Sequence, residues 1–169
     1  MYRARNQTNF IGIMRQIPAA VAMIKGGSAY PSIEGITKFY QTPRGVLTVT
    51  EIYGLPESSG FCDRPIFAIH IHGGPSCSGD LADNFRNVGM HYDPYNCPHP
   101  YHTGDMPPLF DAGGMAYSTV LSNSFTVNEI IGKTVVVHDR PDDFFTQPSG
   151  NSGSKIACGE IVATRRRPL

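Results

Sequence analysis

The chain has 169 residues, enough for one well-packed domain and too few for two ordinary ones. Its formal net charge is zero, which excludes a global electrostatic field that would gather nucleic acid or an anionic membrane surface. Charged residues make up only 17% of the chain, against about 25% in average globular proteins. This composition favours a β protein with long, turn-rich loops.

Short runs with strand character recur along the chain, and residues typical of turns separate them. No run of helical length keeps a period of 3.6 residues. The pattern predicts an antiparallel sandwich or barrel. The predicted strands are 19–25, 33–41, 45–53, 65–72, 116–121, 125–127, 133–138 and 155–163.

Two stretches do not follow the strand pattern. Residues 73–108 show no sustained periodicity, and residues 139–154 run through Pro, Asp, Gly and Ser. Long loops without regular structure are uncommon in compact domains unless they have a function. The sequence therefore predicts that something ties these loops down.

Histidines end two of the predicted strands. In 65–72 a period of two puts apolar residues on one face and His70 and His72 on the other. Residues 134–138 repeat the arrangement, with Val135 and Val137 facing inward and His138 outward. Three outward imidazoles on two strands indicate a metal site, because the spacing of His70 and His72 lets both reach one ion.

The first long loop contains a second group of metal-binding side chains. The segment HYDPYNCPHPYHTGD supplies His91, His99, His102 and Asp105. Three imidazoles and one carboxylate match a closed, four-coordinate zinc site, and closed sites are typically structural. The remaining imidazoles, which have no oxygen ligand beside them, suit copper.

Four motifs carry a resemblance to a known family: FAIHIH, GMHYDPYNCPHPYHTGDMPPLF, GKTVVVHDRPDD and GNSGSKIACG. With them the chain resembles the copper/zinc superoxide dismutases, of bacterial type, over residues 19–163. The resemblance implies an all-β, immunoglobulin-like Greek-key sandwich or barrel of about eight antiparallel strands with two long functional loops. Residues 1–18 are then a lead-in, expected to be disordered or loosely docked, and residues 164–169 a basic tail.

The same resemblance gives every histidine a ligand position. It implies that His91 is shared between the two metals as an imidazolate. The spacing between His99 and His102 is shorter than in many eukaryotic relatives, so the zinc loop is trimmed while its ligands remain. The implied ligands are His70, His72, His91 and His138 for copper, and His91, His99, His102 and Asp105 for zinc.

Further residues take roles only through the resemblance. Asp142 is expected to accept hydrogen bonds from His70 and His99 and so to link the two sites. Cys77 and Cys158 are expected to form the family's disulfide. Cys62 and Cys97 are outside the shared pattern, and the sequence leaves open whether they form a second bridge or remain thiols.

The implied activity is disproportionation of superoxide to dioxygen and hydrogen peroxide by redox cycling of copper, with zinc in a structural role. His91 is expected to release copper(I) and take up a proton on its copper-side nitrogen. Lys155 stands where the family usually has arginine, and it is expected to guide the anion. Lysine keeps the charge but lacks arginine's rigid donor fork, so the sequence predicts a retained but slower dismutase.

Two alternatives stay open at this point. One is a non-enzymatic metal-binding member of the same fold, such as a buffer, chaperone or structural protein; the other is a zinc-loaded binding module that never receives copper. Superoxide is the expected partner, nucleic acid and membrane are not expected, and a homodimer is left open. The lack of a secretory apolar region predicts a cytoplasmic protein, whereas a mature form would be extracellular or in the cell envelope.

Overall fold

Alternating apolar residues and short turns produce a mostly β structure. The computed structural model describes residues 9–58, 60 and 62–164. Two short helices, α1 (Phe10–Met14) and α2 (Val127–Ile130), and a 3-10 turn at Arg86–Val88 accompany the strands. The strands are β1 (Ala20–Gly26), β2 (Glu34–Thr42), β3 (Gly45–Tyr53), β4 (Ile66–Phe67), β5 (Ile69–His72), β6 (Leu109–Phe110), β7 (Met115–Ser122), β8 (Thr134–His138) and β9 (Lys155–Ala163).

Seven strands form one antiparallel sheet in the order β5-β8-β9-β1-β2-β3-β7. Because β7 lies at one edge and β8 beside the other, the connection that carries α2 crosses the fold, as Greek-key connections do. Strands β4 and β6 pair separately as a two-stranded ribbon. The prediction of an antiparallel β fold is confirmed.

The core lies on the face that the sequence pattern assigned to it. Phe67, Ile69 and Ile71 are buried in one cluster together with Val135 and Val137. Members of that cluster come from every strand, so the sheet and the ribbon enclose a single core. Burial of one such aliphatic side chain stabilises the fold by about 1.5–3 kcal/mol.

The predicted strand 65–72 is divided in two by a change of partner at Ala68. Its backbone N–H donates to Arg140 O at 2.8 Å, and its carbonyl accepts from His138 N at 2.9 Å. Strand β4 before it pairs with β6, whereas β5 after it pairs with β8. The alternation of side chains continues through this switch, which is why the sequence shows one strand.

The prediction of a strand at 125–127 is wrong. Val127 begins α2 because Glu129, three residues after Thr126, accepts from both the backbone N–H and the hydroxyl of Thr126, at 2.6 and 2.7 Å. Val127 N also donates to Gln41 Oε1 at 2.9 Å. These bonds satisfy donors at the helix start and favour a helical turn over a strand.

Part of the lead-in 1–18, for which disorder or loose docking is expected from the sequence, forms the short helix α1. Asn9 Oδ1 accepts from Gly12 N at 2.9 Å and caps α1. Residues 1–8 lie outside the described range, as do residues 165–169 of the basic tail. The helix packs Phe10, Ile13 and Met14 on an outward-facing apolar cluster of Tyr40, Leu47 and Val49.

One disulfide fastens the first long loop to the sheet. Cys77, in the loop, is bonded to Cys158 on β9, as the resemblance implied. Cys62 is exposed and Cys97 half-buried, and both are free thiols, so they form no second bridge. Among the described residues, no helix has the length and apolar character needed to cross a membrane.

Candidate metal centre

The outward faces of β5 and β8 lie side by side and are covered by the two long loops. His70 and His72 on β5 and His138 at the end of β8 are no more than 4% exposed. The first loop runs along the free edge of β5, where His70 pairs with Asp105 and His72 with His91 as isolated bridges. The loop therefore closes an exposed sheet edge and brings its own histidine to those of the strands.

Four imidazoles form the first cluster. Each offers a nitrogen, and these nitrogens lie within 4.8 Å of one another. His72 Nδ1 lies 2.8 Å from Gly89 O, and His138 Nδ1 lies 3.3 Å from Ser152 Oγ. These contacts turn the two Nε2 atoms toward each other, 3.3 Å apart. The members are His70, His72, His91 and His138.

Three imidazoles and a carboxylate form the second cluster, with ligand atoms again within 4.8 Å of one another. Asp105 Oδ1 lies 2.7 Å from His91 Nδ1. Asp105 Oδ2 lies 3.0 Å from His99 Nδ1 and 3.3 Å from His102 Nδ1. His91 faces this cluster with Nδ1 and the first cluster with Nε2, so one ring belongs to both.

Buried nitrogens without hydrogen-bond partners show that the clusters fit cations. Within the described part of the chain, His70 Nδ1 and His91 Nε2 are inaccessible and make no hydrogen bond. Leaving such a group unpaired costs about 1–3 kcal/mol. A bound cation accepts these lone pairs. Four nitrogens in one cluster, and three nitrogens with one carboxylate in the other, are donor sets that suit transition metals.

Burial disfavours protonation of His72 and His138 in the first cluster, and an imidazole must be neutral at the nitrogen that binds a metal. Burial lowers the pKa of His138 to about 3. It also lowers the pKa of His72 well below the ordinary value, and the neighbouring His91 adds to this effect. Protonation is disfavoured because a charged ring would be poorly solvated beside the other rings.

Asp142 joins the two clusters, because its carboxylate contacts one imidazole of each. Its Oδ2 accepts from His70 Nε2 at 2.7 Å and its Oδ1 from His99 Nε2 at 2.8 Å. Burial alone raises the pKa of Asp142, but hydrogen bonds from His70, Phe144 N and His99 lower it to about 2. The ionised carboxylate fixes which nitrogen of each ring remains free for a metal.

Residues 33–161 match the family model described as copper/zinc superoxide dismutase (SODC), and this span contains both ligand clusters. The chain belongs to the copper/zinc superoxide dismutase family. Its activity is therefore that of a superoxide dismutase, with superoxide as the substrate and metal ions as cofactors.

Individual proteins agree with the family match. The chain is 31% identical over 142 residues to superoxide dismutase [Cu-Zn] 2 of Aquifex aeolicus, covering 75% of this chain and 78% of that protein. It is 27% identical to the human copper chaperone for superoxide dismutase, covering 89% of this chain and 55% of the chaperone. The copper/zinc superoxide dismutase from Brucella abortus superposes with a TM-score of 0.69 at 25% identity, covering 83% of this chain and 98% of that one.

In this dismutase Lys155 has a partner that the sequence did not predict. It is the first residue of β9 and lies opposite His138 in the β8–β9 register. Its Nζ donates to Asp83 Oδ2 at 2.5 Å and to Phe85 O at 3.0 Å. The partners are 70 or more positions away in the chain, so nothing in the local sequence could reveal the pair.

Gln147 is a second residue that sequence reasoning missed. Its Oε1 accepts from His99 N at 2.9 Å, and its Nε2 donates to His99 O at 2.7 Å. One side chain of the second long loop therefore holds both backbone polar groups of a residue in the first. This clamp positions the His99 imidazole between Asp105 and Asp142.

Proposed function

We propose that the chain disproportionates superoxide with copper held by the first cluster and zinc by the second. The observation that carries the proposal is the shared ring of His91, which faces two complete ligand sets with its two nitrogens. Copper would be held by His70, His72, His91 and His138, and zinc by His91, His99, His102 and Asp105.

Bound copper supplies the redox chemistry, in which one superoxide is oxidised to dioxygen and a second is reduced, with two protons, to hydrogen peroxide. His91 Nε2 is the atom at which we expect the chain itself to hold and release a proton. It is buried without a hydrogen-bond partner among the described residues, while Nδ1 of the same ring lies against Asp105. A filled d shell excludes redox cycling by zinc, so the second cluster serves to fix the His91 ring.

The remaining residues position ligands and attract the substrate. Asp142 orients His70 and His99, and the two loops keep water away from their rings. Lys155 supplies a cationic charge opposite His138 across the β8–β9 pair. A positive charge at that point favours the encounter with a small anion.

We also propose that residues 19–163 form the catalytic domain, since both ligand clusters and the main core fall within them. The Cys77–Cys158 disulfide favours the extracellular or cell-envelope alternative over the cytoplasm, because reducing compartments keep most thiols unpaired. A human relative is named extracellular superoxide dismutase [Cu-Zn], at 32% identity over 142 residues, covering 78% of this chain and 56% of that protein.

Metal content after loading with both ions tests the assignment of the clusters. We expect two metals per chain in the unaltered protein, loss of copper alone in His138→Ala, and loss of zinc alone in His102→Ala. Each substitution removes a ligand that belongs to one cluster only. Equal loss of both metals in each variant, or copper retained in His138→Ala, would contradict the assignment.

A further inference from the structure

An ion pair lies beside the first cluster and has no part in the ligand sets. Lys155 Nζ contacts Asp83 Oδ2 at 2.5 Å and Phe85 O at 3.0 Å. The side chains of Lys155 and Asp83 are 21% and 35% exposed, so the pair is partly shielded from water. Two of the three ammonium donors are thus directed at the first long loop rather than at solvent.

The pair lines a surface cavity of about 590 Å³ between the first loop and the start of β9. The cavity wall is built from three segments, 27–30, 81–84 and 153–155. Lys155 is opposite His138 in the β8–β9 register. The charge on Lys155 therefore lies beside the first cluster, and Asp83 is in direct contact with that charge.

We propose that Asp83 restrains the attraction of anions by Lys155 and so sets the rate of substrate capture in this enzyme. The inference rests on the proposed function, because it takes the first cluster as the copper centre that superoxide approaches. Asp83 is a positioning residue that acts through Lys155. Its side chain bonds to Lys155 and to Phe85 N, and neither residue belongs to a ligand cluster.

The physical basis is cancellation of charge. An isolated ammonium attracts an approaching anion as a monopole, whereas an ammonium in contact with a carboxylate acts at longer distances as a weak dipole. The nearby cation Arg86 does not supply the positive charge that Asp83 cancels, because Arg86 Nη1 is itself paired with Asp80 Oδ2 at 3.0 Å. Removing the charge of Asp83 therefore leaves the ammonium uncompensated and loosens its attachment to the loop, so that it can turn toward an approaching anion.

Asparagine at position 83 separates this charge effect from damage to the loop. Asp83 Oδ1 accepts from Phe85 N at 3.0 Å, and an asparagine oxygen can keep that bond. Glu57→Gln is the matched control, since it removes one negative charge from a side chain that lines a separate cavity near β6. Both variants have the same net charge.

The experiment uses the copper- and zinc-loaded protein and two measurements. Azide, a small anion, is titrated against the copper absorption bands, and the second-order rate with superoxide is measured at several ionic strengths. We expect Asp83→Asn to bind azide about three- to fivefold more tightly and to react about two- to fivefold faster at low salt, with the difference shrinking at high salt. Glu57→Gln should change either quantity by less than about 1.5-fold.

Repeating the substitution in a Lys155→Ala background shows whether Asp83 acts through the lysine. Loss of the Asp83 charge should raise azide affinity there too, because Coulomb terms add, but the part that comes from freeing the ammonium should vanish, so the gain should be clearly smaller. Unchanged or weaker azide binding in Asp83→Asn, or an effect that persists in full without Lys155, would overturn the inference. If the unaltered protein bound copper and azide but had no dismutase activity, the proposed function would fail. The azide affinities of the variants would still test the role of Asp83.

Discussion

Several imidazoles of the two clusters are held by a contact on the nitrogen that does not face the cluster. Gly89 O holds His72, Ser152 lies beside His138, and Asp142 holds two rings at once. Because a neutral imidazole has one donor and one acceptor nitrogen, these contacts determine where the free lone pair points. The direction of each free lone pair therefore depends on partners that belong to neither ligand cluster.

Asp142→Asn should weaken metal binding by about 10- to 100-fold at both clusters, because the amide cannot accept from His70 and His99 at the same time. Competition with a chromophoric chelator measures this for each ion. Asp143→Asn is the matched control, because the Asp143 carboxylate accepts from Thr146 and Phe145 rather than from a ligand ring. Equal affinities in Asp142→Asn and the unaltered protein would rule out its positioning role.

Lys155→Ala should slow the reaction with superoxide and reduce or reverse its preference for low salt, since it removes the cation opposite His138 and leaves the Asp83 carboxylate uncompensated. Stopped-flow decay of superoxide gives both quantities. Metal content should not change, because Lys155 belongs to neither ligand cluster. A rate equal to that of the unaltered enzyme would exclude a guiding role for this residue.

The two long loops are held to each other and to the sheet by a few specific contacts. Gln147 clamps His99, and Asp142 contacts rings from both β5 and the first loop. Gly150 permits this close packing, since its φ is +65° and a Cβ there would come within 1.9 Å of Asp142 Oδ1. Residues 139–154 are irregular because they follow these contacts rather than a backbone ladder.

Gln147→Ala should speed the release of zinc to a chelator by about tenfold while leaving copper binding in place, because both backbone bonds to His99 are lost. Gln147→Glu keeps the acceptor for His99 N but loses the donor to His99 O, so an intermediate rate is expected. Identical zinc release from all three proteins would show that the clamp does not position His99.

The sequence predicted most strands and their faces because the alternation of apolar and polar residues follows burial directly. Phe67, Ile69 and Ile71 lie in the core as their period indicated. The candidate ligands were also predictable, since histidines in that number and spacing are typical of a metal centre. The contacts of Asp83 with Lys155 and of Gln147 with His99 were not, because they depend on loop paths that no periodic pattern encodes.

At the scale of the whole molecule, the disulfide connects the loop that leaves β5 to the last strand of the sheet. Cys77 and Cys158 are 81 positions apart. In the chain-entropy model, closing a loop of this length raises the free energy of the unfolded chain by about 4 kcal/mol. The bond therefore stabilises the folded state as a whole and also fixes the loop to β9 at Cys77.

Replacing Cys77 and Cys158 together by serine should lower the free energy of unfolding of the metal-free protein by about 2–4 kcal/mol. Urea denaturation followed by circular dichroism measures the change. Cys62→Ser is the control, because Cys62 is an exposed free thiol, and its effect should stay below about 0.5 kcal/mol. Equal stability of the double variant and the unaltered protein would show that the bridge adds nothing to the folded state.

The most direct test of the central claim is superoxide dismutation by the purified protein loaded with copper and zinc, alongside His138→Ala. We expect activity that requires copper and that falls to background in the variant, which lacks one member of the first cluster but keeps every member of the second. Full metal loading without dismutation, or activity unchanged by loss of His138, would contradict the account of this site.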